Sequence, residues 1–147
     1  MTTTKPRTGI SASSLSFKAA VLMVLAGMMW GIVMAISHDH SAMPAHAHLN
    51  LLGWVSLFLF GIFYHLHPAI DRSRVAVAQV AIWIVATIVM VTGIWLIHSG
   101  REIGEPIAAV GSLAVFADML VFGWLVARRG RYGDIATAAR ASLMPAE

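Results

Sequence analysis

Four long apolar runs separated by short polar breaks organise this chain. The first runs from about Lys18 to Ser37, the second from about Ala47 to Leu66, the third from about Val75 to His98 and the fourth from about Ile107 to Ala127. Each is continuous and close to the roughly 20 residues that a helix needs to cross a bilayer core. Barrel strands would instead alternate in segments of about 10 residues. The pattern predicts four transmembrane helices. Pro68 stops the second, and Pro106 stands at the start of the fourth, where a missing N–H costs little. Residues 1–17 are polar and rich in Ser and Thr, and read as a disordered lead-in. Residues 18–127 form the membrane domain. The tail 128–147 is basic and then Ala-rich, suggesting a short interfacial helix.

Composition supports lipid as the solvent. Of the 147 residues, 59% are hydrophobic and only 12% charged, against about 25% charged in an ordinary soluble domain. The mean hydropathy is +0.78. Span one follows basic residues, as a signal peptide would, and Ala45-His46-Ala47 is a small-x-small step. Its apolar stretch exceeds the roughly 7–15 residues of a signal sequence, so it is read as an uncleaved helix.

Charge fixes an expected orientation. Lys5, Arg7 and Lys18 precede span one, Arg72 and Arg74 lie between spans two and three, and Arg128, Arg129, Arg131 and Arg140 follow span four. Only Arg101 falls on the other side. The positive-inside rule puts both termini in the cytoplasm and the protein in a bacterial inner membrane. The sequence pI of about 10.0 is then a mark of topology and calls for no nucleic-acid partner.

With no cysteine, disulfides, iron–sulfur clusters and thiol catalysis are excluded, and a metal or haem must rely on His, Met, Asp or Glu. Five of seven histidines gather at the outer face: His38, His40, His46, His48 and His98, beside Asp39, Arg101, Glu102 and Glu105. Imidazole suits zinc, copper, nickel and iron. His46 and His48 lie about 200° apart on a regular helix, so one is expected to face inward and the other to sit in the loop. His48, the deeper, is the preferred ligand, with His98 opposite on the antiparallel span. His38 and His40 form a His-Asp-His turn that could hold a surface metal. His65 and His67, beside Tyr64 at the inner end of span two, fit the interfacial belt, with an inner haem or quinone contact as the functional alternative.

Asp118 falls mid-span, where insertion costs about 2.5–3.5 kcal/mol. It should face the interior, with Ser56 and Thr87 as expected partners at similar depth, and serve either as a proton-relay position or as an interhelical hydrogen bond. Gly27-Met28-Met29-Trp30-Gly31, and Gly53 with Gly61, predict close helix approach within or between chains. Trp83 and the other four tryptophans read as packing or belt residues.

The run His46-Ala47-His48-Leu49-Asn50-Leu51-Leu52-Gly53-Trp54, continuing to Phe60-Gly61-Ile62-Phe63-Tyr64 and a proline beyond the helix, resembles the second helix of the haem-copper oxidase subunit I family, which includes the nitric oxide reductase catalytic subunits. The resemblance covers about 20 residues. It implies an all-α bundle like one four-helix arc of those twelve-helix subunits, and a b-type haem held by His48 or His46. No copper-ligand helix is present, so oxidoreductase activity on oxygen or nitric oxide would require an oligomer. A cyclic homotrimer would restore twelve helices. Two other functions are compatible with the residues: a copper or zinc protein using the outer histidines, and an assembly subunit without a cofactor.

Overall fold

The computed structural model describes residues 10–128. Four helices are long and apolar enough to cross a membrane: α1 (Ala12–Ser37), α2 (Met43–Leu66), α3 (Arg74–His98) and α4 (Gly104–Ala127). No strand occurs among the described residues. A single helical turn, Pro68–Asp71, links α2 to α3.

The helix boundaries follow local chemistry. α1 begins six residues before the expected Lys18, inside the segment read as a disordered lead-in. Ser11 caps it, its hydroxyl accepting from Ser14 N at 3.2 Å, and Ser13 N donates to Asp71 Oδ1 at 2.7 Å. These bonds satisfy N–H groups that a helix start leaves without partners. Ala12, Ser13 and Ser16 are accordingly buried. α1 ends at His38, which takes the left-handed conformation at φ 54°. α2 starts at Met43, four residues before the expected Ala47, with Pro44 in its first turn. It stops at His67, whose backbone is held out of the helical region by Pro68. Ser73 caps α3, accepting from Ala76 N at 3.1 Å. α4 starts at Gly104, with Pro106 in its first turn. The basic tail from Arg129, including the expected interfacial helix, lies outside the described residues, as do Lys5 and Arg7.

α2 is not uniform. Leu49–Ser56 forms a π-helix between α-helical ends. An inserted residue in a turn re-phases the helix beyond it by about 100°, so α2 presents different faces before and after this segment.

Glycines set the helix contacts in two ways. Between α1 and α2, side chains fill glycine gaps. Asn50 lies over Gly27, His46 over Gly31, Met23 over Gly53 and Phe17 over Gly61. The GxxxG step of α1 therefore works within the chain. Between α3 and α4, the most extensively packed pair, backbone meets backbone. A Cβ on Gly111 would stand 2.5 Å from Met90 N and 2.6 Å from its Cα. Gly93 meets the Ala108 backbone in the same way, and Gly104 approaches Ile97 and Gly93. The two halves join through aromatic rings: Phe60 stacks edge-on to Trp83 at 4.8 Å and lies 4.2 Å from Phe122. Trp83, Tyr64 and Leu125 are fully buried there.

These contacts define the two ends of the bundle. The Ser13–Asp71 bond and the packing of Phe122 on Phe63 and Tyr64 bring the start of α1, the α2–α3 turn and the end of α4 to one end. The loops at residues 38–42 and 99–103 form the other.

Candidate ligand face and the buried polar chain

His46 and His48 both belong to the helical start of α2, so neither sits in a loop as expected. They point apart, as the 200° separation requires. His46 is the inward one: its ring lies half-buried over Gly31 and beside Asn50, whose Nδ2 stands 3.3 Å from His46 Nε2 and also donates to His46 O at 2.9 Å. Gly31, Met28, Ile32 and Ala35 line the groove around this pair. The ring packs against α1 and shares a polar contact with its own helix, which suffices to explain its position.

His48 faces outward and is exposed. Its Nδ1 donates to Pro44 O at 2.7 Å. That bond orients the ring and, with the proton on Nδ1, leaves the Nε2 lone pair free, the arrangement by which a backbone carbonyl prepares an imidazole for a metal. His98, at the end of α3, is exposed in the same state, with Nδ1 2.9 Å from Ile94 O. Beyond His48, Leu51, Trp54, Val55 and Phe58 give α2 an exposed apolar flank.

The remaining outer residues are solvated. His38 and His40 are exposed in the loop. Asp39 forms an Asx turn, accepting from Ser41 N at 2.9 Å, and this backbone N–H, helped by the Ser41 hydroxyl, holds its carboxyl below the usual carboxylate range. Among the described residues, no three His, Asp or Glu side chains converge as a metal-holding group. At the opposite end, His65 is exposed, while His67 stacks on Phe63 at 4.4 Å and bonds Phe63 O through Nδ1 at 2.7 Å.

Asp118 faces the interior as expected, but with a different partner. Gln79 Nε2 donates to its Oδ2 at 2.6 Å, and Tyr64 Oη donates to Gln79 Oε1 at 2.6 Å. The resulting chain ties α2, α3 and α4 together. Ser56 turns back to Leu51 O at 3.0 Å, and Thr87 is buried without a partner. Depth along the span matched Ser56 and Thr87 to Asp118, but rotation about the helix axes decides which side chains meet. Asp118 Oδ1 is likewise buried and unpartnered.

Gln79 is absent from the sequence reading, although a Gln one turn into a span is itself a sign of an interhelical bond. Trp83 reads as packing, yet its indole donates to Leu52 O at 3.0 Å. A buried tryptophan requires a partner for its N–H, which was the available clue.

The fold and site define a multi-pass helical membrane protein with an outward imidazole flank at one end. No protein-family model, no curated protein and no solved structure matches the chain.

Proposed function

We propose that this is an integral membrane protein that binds a b-type haem through His48 and serves electron transfer or the binding of a diatomic gas such as oxygen or nitric oxide. The observation that carries the reading is the His48 ring itself, fixed through Nδ1 by Pro44 O with Nε2 free, on an apolar exposed flank. The donor set fits a haem iron, which accepts neutral imidazole as an axial ligand. The bundle interior is filled by Trp83, Tyr64, Phe60 and Phe122, so the group would lie against the outer flank of α2. When bound, haem would supply a one-electron couple and, if His98 did not also bind it, an open site for a gas. His48 would hold the iron, the Pro44 carbonyl would keep its tautomer, and Trp54 and Phe58 would shield the flank from water. His98 is the candidate second imidazole, and His46 positions the helix end.

The basic residues around Arg72, Arg74 and Arg128 support reading the opposite end as the cytoplasmic one, in a bacterial inner membrane, with the His48 face periplasmic. An outward ligand also favours assembly, since a second chain could cover what one leaves open. A cyclic trimer would enclose three such flanks. Native mass spectrometry of detergent-solubilised protein should show the trimer; a strictly monomeric species rejects that part.

A visible spectrum of purified protein tests the cofactor. A Soret band with sharp reduced α and β bands is expected. His48→Ala should abolish it, and His46→Ala should retain it with reduced protein stability. An unchanged spectrum in His48→Ala rejects His48 as ligand. A colourless preparation with stoichiometric copper or zinc would instead support a metal protein, and neither chromophore nor metal would leave an assembly subunit.

A further inference from the structure

We infer that Trp83 is a positioning residue that holds the π-helical segment of α2 and thereby sets the direction in which His48 points. Three observations meet at this segment. Before the segment His46 is seated over Gly31 of α1, and near its start Asn50 is seated over Gly27, which sets the rotation of the first turns. Downstream, Phe60 and Tyr64 are seated against Trp83, Phe122 and Gln79 of α3 and α4, which fixes the rotation of the last turns. A regular helix cannot satisfy both dockings at once if they differ in phase, and Leu49–Ser56 absorbs the difference.

Widening a turn disturbs the backbone ladder. Leu57 N, just past the wide segment, bonds Trp54 O in a tighter turn. The Leu52 carbonyl receives the Trp83 indole N–H at 3.0 Å. Ser56 Oγ likewise donates to Leu51 O at 3.0 Å. Backbone carbonyls in hydrocarbon need donors, and the indole N–H brings one to Leu52 from the neighbouring helix, which ties the wide turn to α3. Trp83 is fully buried, the largest such side chain in the described bundle, and its ring is clamped by Phe60. The donor is therefore rigid. His48 lies one residue before the wide segment, and Asn50, which helps seat these turns on Gly27, lies inside it, so the outward direction of His48 depends on the segment keeping its register.

The ligand role of His48 rests on the haem reading. The register does not, and it can be tested on the full chain without any cofactor. The chain has no cysteine, so introduced pairs report alone. Asn50 Cγ lies 3.0 Å from the position of a Cβ on Gly27, and Phe17 Cδ1 lies 2.8 Å from that of a Cβ on Gly61. In each pair the partner's side chain reaches the place a glycine Cβ would take, so the two positions face each other across the helix contact and suit a disulfide trap. Gly27→Cys/Asn50→Cys reports the wide segment, and Phe17→Cys/Gly61→Cys reports the downstream helix. Each pair is oxidised in membranes with Trp83 present and with Trp83→Phe, which keeps an aromatic ring of smaller size and removes the N–H.

With Trp83 present, both bonds should form. In Trp83→Phe, the 27–50 bond should fall by about fivefold, the factor set by one hydrogen bond of ordinary strength, while the 17–61 bond persists. Persistence of both overturns the inference. Loss of both overturns it as well, because Trp83 would then support the bundle at large and not this segment. Separately, Trp83→Phe should weaken the His48-dependent spectrum. If the crosslinks respond as expected and no chromophore exists in the unaltered protein, the haem reading fails while the positioning role stands.

Discussion

Gly111→Ala should lower the stability of the bundle by about 1–3 kcal/mol, the usual cost of overpacking a close contact, and Gly111→Leu should prevent α4 from seating on α3. A Cβ at this position meets Met90 N and Cα at 2.5 and 2.6 Å. Those are backbone atoms of a fully bonded helix, so neither rotamer change nor side-chain yielding can relieve the contact. The helices must separate along the Gly93, Gly104 and Gly111 seam, forfeiting the dispersion contacts that hold membrane helices together. Gly123→Ala provides the control. Nothing lies within 4 Å of a Cβ there, and alanine is the better helix former by about 1 kcal/mol. Unfolding by sodium dodecyl sulfate, followed by circular dichroism, measures both. Equal stability of the 111 and 123 variants would show that α3 and α4 do not approach this closely.

The second large effect is expected at Gln79. Gln79→Leu removes the centre of the Tyr64–Gln79–Asp118 chain and leaves the Tyr64 hydroxyl and both Asp118 oxygens without partners, since Oδ1 already has none. Each orphaned buried group costs about 1–3 kcal/mol, and more for a charged one. The loss should exceed the roughly 0.6 kcal/mol of an average interhelical hydrogen bond. Adding Asp118→Leu should then recover much of it, because both carboxylate oxygens are gone and only the Tyr64 hydroxyl remains without its partner. A double-mutant cycle on the same unfolding assay reads the coupling directly. Additive losses would mean that Gln79 and Asp118 act independently.

The four spans were legible because their apolar runs far exceed anything a soluble core requires. Their ends were less so. The start of α1 depends on Ser13 reaching Asp71, 58 residues away, and no local pattern announces such a bond. The histidines were visible as a cluster, but clustering in sequence did not become convergence in space: His46 turned inward over Gly31 and His48 turned out. That Asp118 needed a buried partner followed from its depth. That the partner is Gln79 follows from helix rotation, which the glycine seam between α3 and α4 sets. A run such as Leu49–Ser56 has no compositional signature of its own; it arises where two dockings demand different phases of one helix.

The two kinds of glycine contact carry a consequence for biogenesis. α1 with α2 and α3 with α4 each form an antiparallel hairpin whose seam is complete without the other, one by side chains entering gaps and one by backbone apposition. The hairpins meet through Phe60, Trp83, Phe122 and the polar chain at Gln79, and through the packing of α3 on α1 and on the first half of α2. The chain can therefore be delivered to the bilayer as two preassembled pairs, with the aromatic junction closing last. A lesion in either seam should leave a stalled hairpin exposed to quality control, whereas a lesion at the junction should leave two sound hairpins that fail only to meet.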